Sequence, residues 1–457
     1  MKVYESKDIR NVGIVGHGRC GKTSLAAGLL FTSGAVTRLT RVDEGNTPTD
    51  YDDEEIQRKF TISTSIAALE WKKYKINLFD TPGFNIFIND TYSTMIADDA
   101  AIVVVDAVAG VEVQTEKTWG FAAEYKLPRA ILINKLDRER SSFERAVGSV
   151  QENFGRTAIP IHLPLGAEKD FRGVIDLVRM RAFTYPADGD GKGKESDIPA
   201  EYAEAAKTAH EALVEIIAEG NDALMEEYFE KGTLPTDHMV DGLNAAVREL
   251  RIFPILCASA LHNVGTDLIL DFIVETFPSP VDHAAVHAKL NGQEVDRPIN
   301  DQGPASAFVF KTTADPFAGR ITFFKVMSGC IKNDQHLIDV QKSTDERLAH
   351  IGSPLGKTIM PVNELHAGDI GAVAKLKDAL TGHTLADKSS LIEFEPVHLP
   401  EPSIAFAVEA NRGRTKIAWA TPSTGSSRKT SPCASIAIPR PRTFWWRVRD
   451  SSMWKSS

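Results

Sequence analysis

"GHGRCGKT", residues 16–23, joins an apolar run ending at Val15 to a helix-prone apolar stretch, SLAAGLLF, at residues 24–31. It fills every fixed position of G-x-x-x-x-G-K-[ST], with Gly16, Gly21, Lys22 and Thr23 in place. A strand must end there and a helix begin, so that the backbone N–H groups of the loop and the helix N-terminus face phosphate oxygens. The whole loop (Gly16, His17, Gly18, Arg19, Cys20, Gly21, Lys22, Thr23) is therefore expected to wrap a nucleotide. Lys22 is expected to reach the β- and γ-phosphates and the Thr23 hydroxyl to ligate Mg2+. The loop alone does not choose between ATP and GTP.

Three later strand ends do. "INLFDTPG" (76–83) is an apolar strand closing on Asp80, which can hold Mg2+ through water, while the Gly83 N–H can meet the γ-phosphate. "AILINKLD" (130–137) closes on Asn134, Lys135 and Asp137. The Asp137 carboxylate can accept from guanine N1–H and the 2-amino group, a donor pair adenine lacks. Asn134 can bond base and loop, and the Lys135 stem can cover the ring. "FPILCASAL" (253–261) adds Ser259 and Ala260, where a backbone N–H could meet guanine O6. Four motifs in order, each at a strand end, imply GTP or GDP with Mg2+, bound at the carboxyl edge of a parallel sheet.

The 457 residues, 42% hydrophobic and 25% charged, suffice for about three domains. The start, MKVYESKDIRN, has no apolar leader, and no run of 18 apolar residues occurs, so a cytoplasmic protein without membrane attachment is expected. Cys20, Cys257, Cys330 and Cys433 are scattered, with no C-x-x-C pair, so neither a zinc site nor a disulfide framework is expected. The net charge of −10 is uneven: residues 412–457 hold ten Lys/Arg and one acidic residue, Asp450, leaving 42 basic against 61 acidic residues in 1–411. So acidic a body is not a general nucleic-acid binder, and no sequence-specific DNA contact is expected.

The strings RNVGIVGHGRCGKTSL, DTPGF, NKLD and PILCASALHNVGTDLILDFIVETFPSP resemble elongation factor G and its close paralogues. IPIHLPLGAEKDFRGVIDLV (159–178) resembles the entry to the insertion that this family carries in its GTPase domain. A charged, Ala/Glu-rich stretch of helical spacing follows, from Tyr202 to Leu250. DPFAGRITFFKVMSGCI (315–331) resembles the family's second domain, and LPEPSIAFAVEA (399–410) the first strand of its third. The resemblance implies a ribosomal partner, action in translation elongation and a monomer. Switch I would be EEIQRKFTISTS (54–65), where Thr61 matches the family's Mg2+-binding, γ-phosphate-sensing threonine, although Arg58-Lys-Phe stands for Arg-Gly-Ile.

At Phe84 the chain departs from the family, whose Pro-Gly-His places the attacking water with its histidine. A phenyl ring neither accepts a proton nor orients water. Loss of a positioned proton-transfer group is worth about 10²–10⁴ in rate, so slow hydrolysis is expected and the catalytic residue is unknown.

From Arg412 the composition changes: four of six Trp (Trp419, Trp445, Trp446, Trp454) lie among Ser, Pro and Arg. Trp and Met have single codons, so a reading begun on the last base of each codon turns Trp445-Trp446 and Met453-Trp454 into Val, and Trp454-Lys455 into Glu. Shifted readings of the tail resemble the family's third domain, so residues 412–457 are expected to be an out-of-frame, disordered tail; a basic RNA-binding arm is the alternative.

The expected architecture is an α/β P-loop GTPase domain over 1–280 with an inserted α+β subdomain at about 165–250. An all-β barrel over 281–395 follows, then a broken third domain begun over 396–411. The expected function is a truncated elongation factor G-type GTPase unable to translocate. A GTP-binding switch with little hydrolysis, or a ribosome-protection or release-type GTPase, are the alternatives.

Overall fold

A computed structural model describes residues 1–397 apart from 187, 291 and 316–318, together with 408–410 and 446–448. The nucleotide-binding half is built on strands β1 (Ile9–Gly16), β2 (Ser65–Trp71), β3 (Tyr74–Asp80), β4 (Ala100–Asp106), β5 (Arg129–Asn134) and β6 (Ala158–Pro160). Between β6 and the last core strand lie β7 (His162–Leu165), β8 (Gly173–Asp176), β9 (Arg181–Thr184), β10 (Lys194–Ser196) and then β11 (Phe253–Cys257). The core sheet runs β2-β3-β1-β4-β5-β11-β6. Every pair in it is parallel except the β2–β3 hairpin. β1, β4 and β5 are buried at every residue, as strands covered on both faces must be.

The register aligns the site. Ile14 pairs with Asp80 across β1 and β3, and Asp106 with Asn134 across β4 and β5, so these side chains emerge together at one sheet edge. Helices α1 (Lys22–Thr32), α2 (Asp53–Arg58), α3 (Ile88–Thr94), α4 (Val113–Glu124) and α5 (Phe143–Phe154) connect the strands.

The insertion is an antiparallel sheet, β10-β9-β8-β7, followed by α6 (Ala200–Ala218), α7 (Asp222–Lys231) and α8 (Thr236–Arg248). Its helices are not a wholly solvated face. Leu213, Val214 and Ile217 of α6 and Leu243, Ala246 and Val247 of α8 join the core beside α9 (Thr266–Thr276).

The second half adds β12 (Val286–Leu290), β13 (Gln293–Arg297), β14 (Ser306–Asp315), β15 (Gly319–Ser328), β16 (Ile331–Lys332), β17 (Gln335–Asp339), β18 (Thr344–Leu348), β19 (Gly352–Leu355), β20 (Thr358–Pro361), β21 (Glu364–Leu365), β22 (Ile370–Ala374), β23 (Thr384–Ala386) and β24 (Ile392–Phe394). An antiparallel sheet β18-β17-β23-β14-β15-β22-β19 surrounds a core of its own that includes Val309, Phe324, Leu337, Val373 and Leu385. Its edge meets the first sheet where Leu355 pairs with Ala67 and the Gly356 N–H donates to Ile66 O.

Most of the expected third-domain start (396–411), nearly all of the tail (412–457) and Cys433 lie outside the described residues. Val408–Ala410 and Trp446–Val448 do form a three-residue antiparallel ladder. Among the described residues no helix is long and apolar enough to cross a membrane.

Candidate nucleotide site

The phosphate loop leaves β1 at Gly16 and enters α1 at Lys22, as the motif requires. Lys22 Nζ donates to Gly16 O at 3.1 Å and His17 O at 2.7 Å, so the ammonium is held inside the loop at the mouth of the helix. Gly83 packs so closely that a Cβ would stand 2.2 Å from that Nζ and 2.6 Å from His17 O. Only glycine leaves the ammonium and the loop their room.

Beside the loop, Thr23 and Thr61 meet with their hydroxyl oxygens 2.9 Å apart, although 38 residues separate them. Thr61 is brought in by a fold-back of the segment before β2. Asp52 caps α2, with its side chain accepting from Glu54 N and the Glu55 carboxylate accepting from Asp52 N. The same buried Glu55 then accepts from Ile62 N at 2.9 Å and Ser63 N at 3.1 Å, which turns residue 61 inward. Burial pushes the Glu55 carboxyl up to about 7.

Asp80 lies under the threonines and accepts from Thr49 Oγ1 at 2.7 Å. Asp50, only 3% exposed, is its neighbour. Neither oxygen of Asp50 nor Oδ1 of Asp80 has a hydrogen-bond partner. Burial, reinforced for Asp50 by the Asp80 charge, drives both carboxyls above the ordinary range; the hydroxyls of Thr61 at Asp50 and of Thr49 at Asp80, and then the Lys22 charge, pull them only partly back. Two buried carboxylates facing two hydroxyls and an ammonium, with three oxygens unserved, form a donor set for a hard divalent cation. The residues fit Mg2+. Asp50 and Glu55 escape sequence reading because they sit in a run, DYDDEE, that looks like solvated surface.

The loop, Thr61 and Gly83 line a cavity of about 400 Å3, closed on one side by Phe60 and Phe84. Phe84 lies against Gly18, where a Cβ would come within 2.9 Å of its ring, and stands edge-on to Phe60 with centroids 4.9 Å apart. The position expected to lack a water-orienting group thus holds an aromatic plug.

On the base side, Asn134 rivets the site, donating to Cys20 O at 3.0 Å and accepting from Ala260 N at 3.0 Å. Ser259 Oγ donates to Asp137 Oδ1 at 2.6 Å. Lys135 lies against the loop at Arg19 O and pairs with Asp106 at 2.9 Å. One expectation needs revision: the Ser259 N–H donates to Val264 O and the Ala260 N–H to Asn134, so neither is free for guanine O6. Ser259 holds the Asp137 carboxylate and Ala260 the Asn134 amide.

The second half reaches the site through Lys311 on β14. Its ammonium, 8% exposed, donates to Ser63 Oγ at 2.6 Å and Thr64 O at 2.7 Å and pairs with Asp90 of α3 at 3.0 Å. Thr64 N also donates to Asp90. One lysine therefore ties the barrel to the end of the Thr61 segment and to the helix that follows Phe84.

The family model of the elongation factor Tu GTP binding domain matches residues 7–279, and that of elongation factor G domain 2 matches residues 304–388. A protein of Thermus thermophilus known from its crystal structure matches 89% of this chain at 30% identity with a TM-score of 0.78. The match takes in 58% of that protein, so the chain spans little more than half its length. With its GTP-binding half and its second half both accounted for, the chain belongs to the elongation factor G-like translational GTPases.

Proposed function

We propose that the protein binds GTP and GDP with Mg2+ and acts on the ribosome as a slow GTPase of the elongation factor G type. The observation that carries this reading is the meeting, at one sheet edge, of Lys22, Thr23 and Thr61 with the partnerless carboxylate oxygens of Asp50 and Asp80. Thr23 and Thr61 would ligate the metal, and Asp80 and Asp50 would hold it through water. Bound Mg2+ supplies positive charge to the β- and γ-phosphate oxygens where negative charge gathers in transfer. Lys22 would exchange its loop carbonyls for phosphate oxygens, and the Gly83 N–H would meet the γ-phosphate. Asp137, fixed by Ser259, would accept from guanine N1–H and the 2-amino group, with the Lys135 stem over the ring.

Phe84 favours a second reading, a switch that signals by binding and hardly hydrolyses. Its ring occupies the cavity wall beside Gly18 and offers the attacking water neither acceptor nor donor. Turnover measured with and without ribosomes separates the two: stimulation by ribosomes supports the GTPase, and none supports the switch. Calorimetry tests the base. GTP and GDP should bind far more tightly than ATP, and Asp137→Asn should move preference toward xanthine nucleotides. Equal affinity for ATP and GTP would remove the assignment.

A further inference from the structure

Outside the nucleotide pocket, the second half gathers three side chains of metal-binding type. β16 and β21 pair antiparallel, with Ile331 opposite Leu365 and Lys332 opposite Glu364. Side chains alternate along strands, so Cys330 and His366, at the end of this ladder, share a face with Glu364 and Lys332. The Cys330 thiol donates to Glu364 Oε2 at 3.6 Å, and His366 Nε2 lies 3.8 Å from Glu364 Oε1. One ligand atom from each of the three lies within 4.8 Å of the others. Zinc bonds of about 2.3 Å to sulfur and about 2.0–2.2 Å to nitrogen or oxygen, at tetrahedral angles, need S···O near ~3.6 Å and N···O near ~3.4 Å. The two close separations, 3.6 and 3.8 Å, run to different oxygens of Glu364, so the carboxylate must turn to bring one oxygen to both ligands.

The group behind the histidine points the same way. Asp301 Oδ1 accepts from Ser6 Oγ and Ala367 N, both at 2.9 Å, which fixes the carboxylate. Its Oδ2 lies 3.1 Å from His366 Nδ1. Nδ1 makes no hydrogen bond in this arrangement, so Asp301 would have to close on the ring when a metal takes Nε2. A carboxylate behind the ring is how proteins orient metal-binding imidazoles. Lys332 lies 3.8 Å from Glu364 on this face, and its exposed stem can swing into water.

We propose that Cys330, Glu364 and His366 form a zinc site, oriented by Asp301, with water at the fourth position. On binding, the Cys330 thiol proton passes to solvent, and thiolate, carboxylate and neutral imidazole leave the centre with no net charge. Thiolate with imidazole selects zinc over Mg2+, so the site does not compete for the metal of the nucleotide pocket. Through Asp301 and Ser6 it would pin the N-terminal segment to the barrel.

The test uses the full chain saturated with Mg2+ and GDP, titrated with Co2+ as a spectroscopic stand-in and then with Zn2+ against a chromophoric chelator. One equivalent should bind and give a thiolate-to-cobalt charge-transfer band that zinc abolishes. Cys330→Ser should remove the band and lower zinc affinity at least tenfold, and His366→Gln should lower affinity while keeping the thiol. Asp301→Asn should cost about 10–100-fold. GDP affinity should not change in any variant. No band in the wild type, as a doubly protonated His366 between Asp301 and Glu364 would give, overturns the proposal. So does a band that survives Cys330→Ser.

Discussion

Replacing Asp50 by asparagine should move two observables in opposite directions. Without metal, Asp50 is a buried carboxylate beside a second carboxylate, and the nearby Thr61 hydroxyl only partly offsets its burial. An unsatisfied buried group costs about 1–3 kcal/mol, more when charged. Asp50→Asn removes the charge and keeps the shape, so the metal-free protein should gain about 1–3 kcal/mol. At roughly 2–4 °C per kcal/mol for a domain of this size, Tm in EDTA at pH 8 should rise by about 2–12 °C. The sign depends on pH. Because the folded-state pKa of Asp50 is raised, the wild type binds more protons folded than unfolded and loses stability as pH climbs from the ordinary carboxylate range toward neutrality. The advantage of the variant should therefore shrink toward zero near pH 4 and be full at pH 8. With Mg2+ the order reverses: losing a group that holds the metal through water should weaken Mg2+ binding about 10–100-fold, read as the Mg2+ concentration needed to slow release of a fluorescent GDP analogue. A variant less stable than wild type in EDTA, or one with unchanged Mg2+ dependence, would refute the assignment of Asp50 to the metal site.

Phe84→His should raise ribosome-stimulated hydrolysis by about 10²–10⁴-fold with GTP affinity unchanged; an unchanged rate would place the limiting step outside water positioning. Lys311→Met removes the tie between the barrel and both switch segments, so GTP affinity should fall about tenfold while GDP affinity holds, on the scale of a lost charge-assisted hydrogen bond. An equal loss for both nucleotides would make Lys311 merely structural. Glu55→Gln should flatten part of the loss of stability between about pH 4.5 and 7. Glu55 titrates near 7 when folded, so its ionisation disfavours the folded state as pH rises through that window. A pH–stability curve identical to wild type would contradict the burial argument.

The strand-end motifs were legible because each combines an apolar run with a residue type that the chemistry demands, and the sheet gathers them at one edge. The β2–β3 hairpin was not. Its two-residue turn is Lys72-Lys73, both at positive φ (44° and 72°), where Asn-Gly would be the expected signal. Asp50 and Glu55 were hidden for a different reason. Their burial follows from a fold-back that closes on Thr61, and no local periodicity marks a loop residue as interior. Ser259 and Ala260 were placed at the right strand end, but which acceptor takes each N–H depends on Val264 and on Asn134, 126 residues from Ala260. Local sequence cannot rank such competitors.

An apolar cluster in which Ile66 and Phe79 meet Phe308, Phe310 and Phe323 joins the two halves, and buried charge sets their alignment. Lys75 of β3, fully buried, pairs with Asp369 at 2.7 Å and donates to Ser353 Oγ at 2.6 Å. Lys325 of β15 pairs with Asp99 at 2.6 Å, and Asn11 of β1 bridges Asp99 and Gly368 O. Buried pairs add little net stability over apolar packing, but removing one partner costs about 3–5 kcal/mol. They therefore punish misalignment more than they reward contact. The strands they grip, β1 and β3, are the ones that end at Gly16 and Asp80. Lys311 grips the remaining two segments, at Ser63–Thr64 and Asp90. The barrel thus holds the fixed strands by buried charge pairs and reaches the Thr61 segment and α3 through Lys311, which has three partners. If the Thr61 segment shifts on loss of a γ-phosphate, as the proposed function requires, Lys311 can give up Ser63 and Thr64 while keeping its pair with the partly exposed Asp90.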